Sequence, residues 1–235
     1  MKDQNFEWFV GADVVVDRIQ TIVNDRHSHR LRGDDDVDDR PLTLLDVGCG
    51  TSRVFPTLFR QSKFPLRLIC VDFCDEALET LKCESLSEDG AESRVADDEL
   101  DEEATIGGCS HRLNSTLEFV RADMKVLPLS DASVDLILDK GATDAVLRAR
   151  RDGVLDFRRS FREFLRVLRR DQIGRILHIS DEDPDVRLQF LRDQLRTIFD
   201  EDDVEDAHDE KLAISFEAVE VQGREIFCYS IFVNS

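Results

Sequence analysis

Hydrophobic residues recur along this chain in two alternating patterns. Short continuous apolar runs are typical of strands buried on both faces of a parallel sheet. Apolar residues spaced three and four positions apart predict amphipathic helices. The runs predict strands over 42–47, 66–71, 116–121, 134–138, 175–179, 212–221 and 225–233, and the helical spacing predicts helices over 6–24, 52–61, 75–83, 142–150, 154–169 and 185–199.

The order of these elements predicts the fold. From residue 42 onward strands and helices alternate, and consecutive β-α-β units build a parallel sheet through right-handed crossovers. Only Gln222 and Gly223 separate the last two strands, which predicts an antiparallel hairpin. We therefore expect an α/β protein with a mostly parallel twisted sheet, helices on both faces and a C-terminal antiparallel hairpin.

Length and charge refine this picture. A chain of 235 residues is long enough for one domain with a full core, so we expect a single domain over 1–235. The net charge of −20 is concentrated in three segments, 34–39, 84–103 and 200–210, which hold 23 of the 51 acidic residues. Runs of like charge repel and stay solvated, which predicts loops and a disordered acidic insertion over 84–115.

Composition also disfavours several classes of function. Acidic loops would counteract phosphate binding, so a nucleic-acid partner is not expected. No apolar run approaches the length of a membrane span, and no secretory signal opens the chain. The six cysteines include no C-x-x-C pair and no paired histidine spacing, which favours reduced structural thiols and predicts no metal site.

The segment Asp46-Val-Gly-Cys-Gly-Thr-Ser52 follows the first predicted strand and opens a helix. Gly48 and Gly50 allow the backbone to turn tightly and to approach a ligand closely, and Thr51 or Ser52 could cap the helix. Arg53 stands where a dinucleotide fingerprint would have its third glycine. The segment therefore favours a nucleotide-like cofactor other than a dinucleotide.

Acidic residues follow four predicted parallel strands, at the sheet edge where open α/β sheets bind ligands: Asp72, Asp123, Asp139 and Asp181. Asp72 lies at a spacing from Gly48 that suits an acceptor for ribose hydroxyls, and Phe73 offers a face for an adenine ring. Asp123 could accept the adenine amino group, with Met124 against the ring. Lys140 could meet the carboxylate of an amino-acid-like ligand.

With these residues the chain resembles the seven-stranded S-adenosylmethionine-dependent methyltransferases. Residues 138–145, LDKGATDA, resemble the signature of the protein-lysine methyltransferases that act on elongation factor 1A and on citrate synthase. Among these families, residues 180–188, SDEDPDVRL, most resemble the citrate synthase-lysine methyltransferases. The resemblance covers about residues 6–233 apart from the acidic insertions.

The resemblance implies a Rossmann-like seven-stranded class I methyltransferase fold that uses S-adenosyl-L-methionine to methylate a lysine of a protein, with citrate synthase as the suspected substrate. It implies a monomer and residence in the mitochondrial matrix, although residues 1–7 do not read as a presequence and a cytoplasmic location is the alternative. The implied cofactor contacts are Trp8, Gly48, Gly50, Asp72, Phe73, Asp123, Met124 and Lys140.

Methyl transfer to an amine requires a neutral lysine placed in line with the methyl group. Asp139 is the candidate catalytic residue for orienting that amine, and Asp181 and Glu182 are weaker candidates. Three alternatives stay open: methylation of elongation factor 1A, another protein or a small molecule; a binding module that keeps the fold without catalysis; and a nucleotide-dependent dehydrogenase, which Arg53 and the terminal hairpin disfavour.

Overall fold

The computed structural model describes residues 7–32, 40–89, 114–148, 151–170, 174–201 and 212–233. Seven strands and six helices lie in these ranges. The strands are β1 (Leu42–Val47), β2 (Leu66–Asp72), β3 (Thr116–Arg121), β4 (Leu136–Lys140), β5 (Arg175–Ser180), β6 (Leu212–Val221) and β7 (Arg224–Val233). The helices are α1 (Ala12–Arg32), α2 (Val54–Gln61), α3 (Asp75–Asp89), α4 (Ala142–Arg148), α5 (Gly153–Val167) and α6 (Pro184–Glu201).

The strands form one sheet in the order β3-β2-β1-β4-β5-β7-β6. The first five strands along the chain pair in parallel, whereas β7 runs antiparallel to both β5 and β6, which confirms the predicted hairpin. β1 has β2 on one side and β4 on the other, so the chain changes direction across the sheet at this point. A topological switch of this kind leaves a crevice at the carboxyl ends of β1 and β4.

Each face of the sheet buries its own hydrophobic cluster. In β1, Leu44 packs in the cluster that holds Ile19 of α1 and Phe55 of α2, while Leu45 lies in the opposite cluster with Phe161 of α5. Successive residues of a strand face opposite sides of the sheet, so β1 is buried on both faces. Helices α1, α2 and α3 thus cover one face, and α5 and α6 cover the other. Within the described ranges, no helix is both long enough and apolar enough to cross a membrane.

The predicted start of the first helix is wrong. The helical spacing predicts a helix from residue 6, but α1 begins at Ala12, and residues 7–10 form a separate N-terminal segment. Phe9 in this segment has a φ of 63°, which a helix excludes. Contacts of Glu7 with residues far along the chain hold the segment away from the helical path.

The other helix and strand boundaries lie closer to the predicted ones. α3 continues past its predicted end at Cys83 to Asp89, so residues 84–89 of the insertion predicted as disordered over 84–115 are helical; residues 90–113 lie outside the described residues. The buried Ser85 hydroxyl donates to the Leu81 carbonyl in this added helical part. β4 ends at Lys140, so Asp139 and Lys140 belong to the strand instead of following it.

Candidate cofactor site

The glycine turn after β1 has the conformation that its sequence predicts. Gly48 and Gly50 have φ values of 61° and 54°, in the left-handed region that favours glycine. The Cys49 amide donates to the Val71 carbonyl at 3.0 Å, which ties the turn to the end of β2. A Cβ on Gly48 would lie 2.5 Å from the Cβ of Ala142, whereas a Cβ on Gly50 would meet nothing within 4 Å. The two glycines therefore serve different purposes: Gly48 allows α4 to approach, and Gly50 leaves open space.

This difference predicts unequal effects of alanine at the two positions. Gly50→Ala adds only the left-handed backbone strain, about 1 kcal/mol of unfolding free energy. Gly48→Ala adds the same strain and an overlap with Ala142, for a total loss of about 2–3 kcal/mol. Urea unfolding of both variants measures the difference. Equal losses would show that α4 moves aside without cost.

Asp72 at the end of β2 holds the turn from the other side. Its carboxylate accepts the Gly50 amide at 2.8 Å and the Cys74 amide at 2.9 Å, and the residue is 6% exposed. One carboxylate thus joins the glycine turn to the start of α3. Asp72, the predicted ribose acceptor, therefore lies beside the backbone of the glycine turn.

The predicted hydroxyl cap of α2 is wrong. The N-cap residue is Arg53, no side chain of that residue caps the helix, and neither Thr51 nor Ser52 takes this role. Instead, the Glu7 carboxylate accepts the Arg53 amide at 2.8 Å and the Ser52 hydroxyl at 3.1 Å. A carboxylate at this end of a helix is favoured by the helix dipole.

Lys140 is buried and paired. Its Nζ donates to the Glu7 carboxylate, and its side chain is only 4% exposed. Asp46 lies fully buried nearby, and its Oδ2 has no hydrogen-bond partner among the residues that the structure describes. Burial raises the pKa of Asp46 to about 8, although the Lys140 ammonium opposes this shift and Glu7 adds to it. The carboxyl groups of Glu7 and Asp46 therefore lie close to one ammonium group, that of Lys140.

Two cavities flank the glycine turn and share Gly48, Ala142 and Ala145 in their walls. The smaller, of about 250 Å³, lies towards the N-terminal segment, and the larger, of about 570 Å³, lies towards β2 and β3. The structure brings all eight predicted cofactor contacts to this groove. Trp8, Gly48, Gly50 and Lys140 line the smaller cavity, and Gly48, Asp72, Phe73, Asp123 and Met124 line the larger one.

Asp139 lies away from both cavity walls. The residue is fully buried, and its carboxylate accepts the Thr143 amide at 3.1 Å and the Thr143 hydroxyl. Nδ1 of His178, from the neighbouring strand β5, lies 2.8 Å from Asp139 Oδ2. Burial alone would raise the pKa of Asp139, but the charge and hydrogen bonds of His178 and Thr143 hold it below its usual value. The arrangement fixes the first turn of α4, whose Ala142 and Ala145 line the groove.

The two weaker catalytic candidates lie at the surface. Asp181 pairs with Arg148 at 2.9 Å, and the Glu182 carbonyl accepts the Tyr229 hydroxyl. Neither residue lines either cavity of the groove. Within the part of the chain that the structure describes, no cluster of His, Cys, Asp and Glu has the arrangement of a metal site.

Sequence reasoning missed Glu7 and His178. Glu7 stands next to Trp8, but no spacing rule links it to Lys140, which lies 133 positions further along the chain. His178 sits in an apolar strand, where a lone histidine gives no signal of its partner. Each side chain acquires its role only when distant strands and segments come together.

Comparison with known proteins agrees with this geometry. The methyltransferase domain family matches residues 45–174. The mitochondrial citrate synthase-lysine N-methyltransferase of Danio rerio is 31% identical over 99% of this chain and 77% of its own length. Its human counterpart is 33% identical over 79% of this chain and 66% of its own length. A methyltransferase structure from Methanosarcina mazei superposes with a TM-score of 0.51 at 12% identity, covering 84% of this chain and 95% of its own.

The fold, the glycine turn and the groove together define a class I methyltransferase that uses S-adenosylmethionine. The residues present fit this cofactor: Asp72 supplies acceptors for hydroxyl groups, Lys140 supplies a cation, and the open space at Gly50 allows close approach to the backbone. Within this class the chain belongs to the citrate synthase-lysine N-methyltransferase family.

Proposed function

We propose that this protein transfers methyl groups from S-adenosylmethionine to a lysine of citrate synthase, acting as a monomer in mitochondria. Support comes from relatives that carry this activity and this location in their names. The single observation that carries the proposal in the structure is the convergence of all eight predicted cofactor contacts on one groove.

The two cavities suit the two ends of the cofactor. In the larger cavity Asp72 would accept the ribose hydroxyls, Asp123 would accept the adenine amino group, and Phe73 and Met124 would pack against the ring. Phe73 is 76% exposed, so its face is available for stacking. In the smaller cavity Lys140 would bind the carboxylate of the amino-acid end. Trp8 forms part of the same wall.

The target lysine would enter where the cavities meet. The cofactor supplies an electrophilic methyl group on the sulfur that joins its two ends, and Gly48, Ala142 and Ala145 are common to both cavities. Small side chains there leave room for a lysine chain and keep the wall apolar. An apolar wall disfavours the charged ammonium and so promotes the neutral amine that attacks. Asp139 would act through Thr143 by fixing α4, the element that carries both alanines.

Mass spectrometry of purified citrate synthase after incubation with enzyme and S-adenosylmethionine tests the substrate. We expect one lysine-containing peptide to gain the mass of one or more methyl groups. Elongation factor 1A in a parallel incubation is the control for selectivity. Methylation of elongation factor 1A with citrate synthase unchanged would reject the proposed substrate while keeping the enzyme class.

A further inference from the structure

One end of the smaller cavity carries two opposite charges side by side. Glu7 and Lys140 form an ion pair, and both residues line the cavity. The Glu7 side chain remains 17% exposed although it is paired. The cavity keeps about 250 Å³ of space with Glu7 in this position, so the carboxylate forms part of the wall and does not fill the site.

Glu7 and Lys140 have hydrogen-bonding capacity beyond their contacts with described residues. A carboxylate offers about four acceptor positions, and Glu7 uses three of them for Ser52, Arg53 and Lys140. The Lys140 ammonium has three protons, of which one is directed to Glu7. A free acceptor position and free donors therefore lie next to each other at the cavity wall.

A ligand that satisfies both groups must carry a carboxylate and an ammonium on neighbouring atoms. A ligand with only a carboxylate would place a second anion against Glu7, and a ligand with only an ammonium would place a second cation against Lys140. Both arrangements are unfavourable at a partly buried site, where charges are poorly screened. The pair is therefore complementary to an α-amino acid in its zwitterionic form.

The N-terminal segment is held in place for this role. Phe9 adopts a φ of 63°, and its ring packs where a Cβ on Gly141 would lie 2.7 Å from Cε2. The Val10 amide donates to the Trp8 carbonyl at 2.8 Å, which closes a tight turn. Together with the bond from the Arg53 amide to Glu7, these contacts fix the carboxylate before a ligand arrives. Preorganisation of this kind lowers the entropic cost of binding.

We propose that Glu7 is a cofactor-binding residue that accepts the α-ammonium group of the amino-acid end of S-adenosylmethionine, while Lys140 takes the adjacent carboxylate. The inference rests on the proposed placement of the cofactor and is independent of which protein is methylated. It assigns the N-terminal segment to the cofactor site and makes the enzyme selective for ligands with a complete amino-acid end.

Isothermal calorimetry with two ligands tests this assignment. S-adenosylhomocysteine carries the amino-acid end, and 5′-methylthioadenosine lacks it. We expect Glu7→Gln to bind S-adenosylhomocysteine at least about tenfold more weakly than wild type, because it loses a charged partner. Affinity for 5′-methylthioadenosine should stay within about twofold of the wild-type value. Glu79→Gln, the same exchange at an exposed site on α3, is the matched control and should change neither affinity.

Two results would overturn the assignment. Unchanged or tighter binding of S-adenosylhomocysteine would mean that Glu7 only competes with the carboxylate of the cofactor. Equal weakening of both ligands would mean that Glu7 only shapes the turn at Ser52 and Arg53. If Glu7→Gln does not fold, Glu7→Asp, which withdraws the carboxylate by one methylene, is judged by the same selective loss. A wild-type chain that binds neither ligand would reject the cofactor site itself, and a failure to methylate citrate synthase would leave the calorimetry unaffected.

Discussion

The Asp72→Ala variant is expected to bind S-adenosylhomocysteine about 100-fold more weakly than wild type, which corresponds to about 2.7 kcal/mol. The two carboxylate oxygens of Asp72 would have two functions at once. It would accept the ribose hydroxyls, and hydrogen bonds to a charged group contribute about 1.5–3 kcal/mol each. It also holds the Gly50 and Cys74 amides, so its removal loosens the turn that faces the ligand.

A nearby acid provides the control for this measurement. Asp75 is more than half exposed and pairs with Arg121 at the surface, so Asp75→Ala should leave the affinity within about twofold of wild type. Both variants are compared by calorimetry under identical conditions. If Asp72→Ala retained the wild-type affinity, the ribose assignment would be wrong, and the carboxylate would serve only to join the turn to α3.

The sheet could be predicted because its strands carry their own signal. β1 and β3 have the predicted bounds, since a strand buried on both faces reads as one apolar run between polar turns. The glycine turn could also be predicted from its own residues, because the positive φ values of Gly48 and Gly50 depend on glycine itself. Strand-end acids such as Asp72 then followed from the geometry of parallel sheets.

The pairing and burial of the charged residues at the site could not be predicted in the same way. The sequence names Lys140 as a cofactor contact, but it does not show that the side chain is buried and paired with Glu7, which lies 133 positions earlier in the chain. The same contact explains why α1 begins late: the apolar stripe of the first residues fits a helix, but the ion pair and the caps on Ser52 and Arg53 hold residues 7–10 in another conformation. A local pattern contains no information on a partner that only the fold supplies.

The role of Asp139 depends on where β4 ends. The sequence placed Asp139 after the strand, where it would face a ligand, whereas β4 continues to Lys140. Successive residues of a strand point to opposite faces. Of these two neighbours, only Lys140 lines the groove, while Asp139 is buried between His178 and Thr143. Extension of one strand by two residues thus separates Lys140, the predicted cofactor contact, from the buried Asp139, which we propose acts through α4.

Asp139→Asn should lower the free energy of unfolding by about 1.5–3 kcal/mol at neutral pH, because a neutral amide replaces the buried carboxylate that accepts hydrogen bonds from Thr143. The sign of the pH dependence follows from the lowered pKa of Asp139. A carboxylate with a lowered pKa stabilises the fold at pH values above its unfolded-state pKa of about 3.8. This stabilisation is lost as the pH falls through its folded-state pKa. The difference between wild type and variant in urea unfolding should therefore be largest near neutrality and shrink in acid. A difference that is constant with pH would show that the charge contributes nothing.

Kinetics of the same variant separate positioning from cofactor binding. If Asp139 acts by fixing α4, Asp139→Asn assayed below its unfolding temperature should lose more turnover than affinity for S-adenosylhomocysteine, because Ala142 and Ala145 then shift where the lysine enters. Thr143→Val removes the hydroxyl that donates to Asp139, so it should also lose more turnover than affinity. Its loss of unfolding free energy should be smaller, about 1 kcal/mol. Thr143→Ser keeps the donor and should retain wild-type turnover. Equal losses of turnover and affinity in Asp139→Asn would contradict this role, because the carboxylate would then support the cofactor site as a whole.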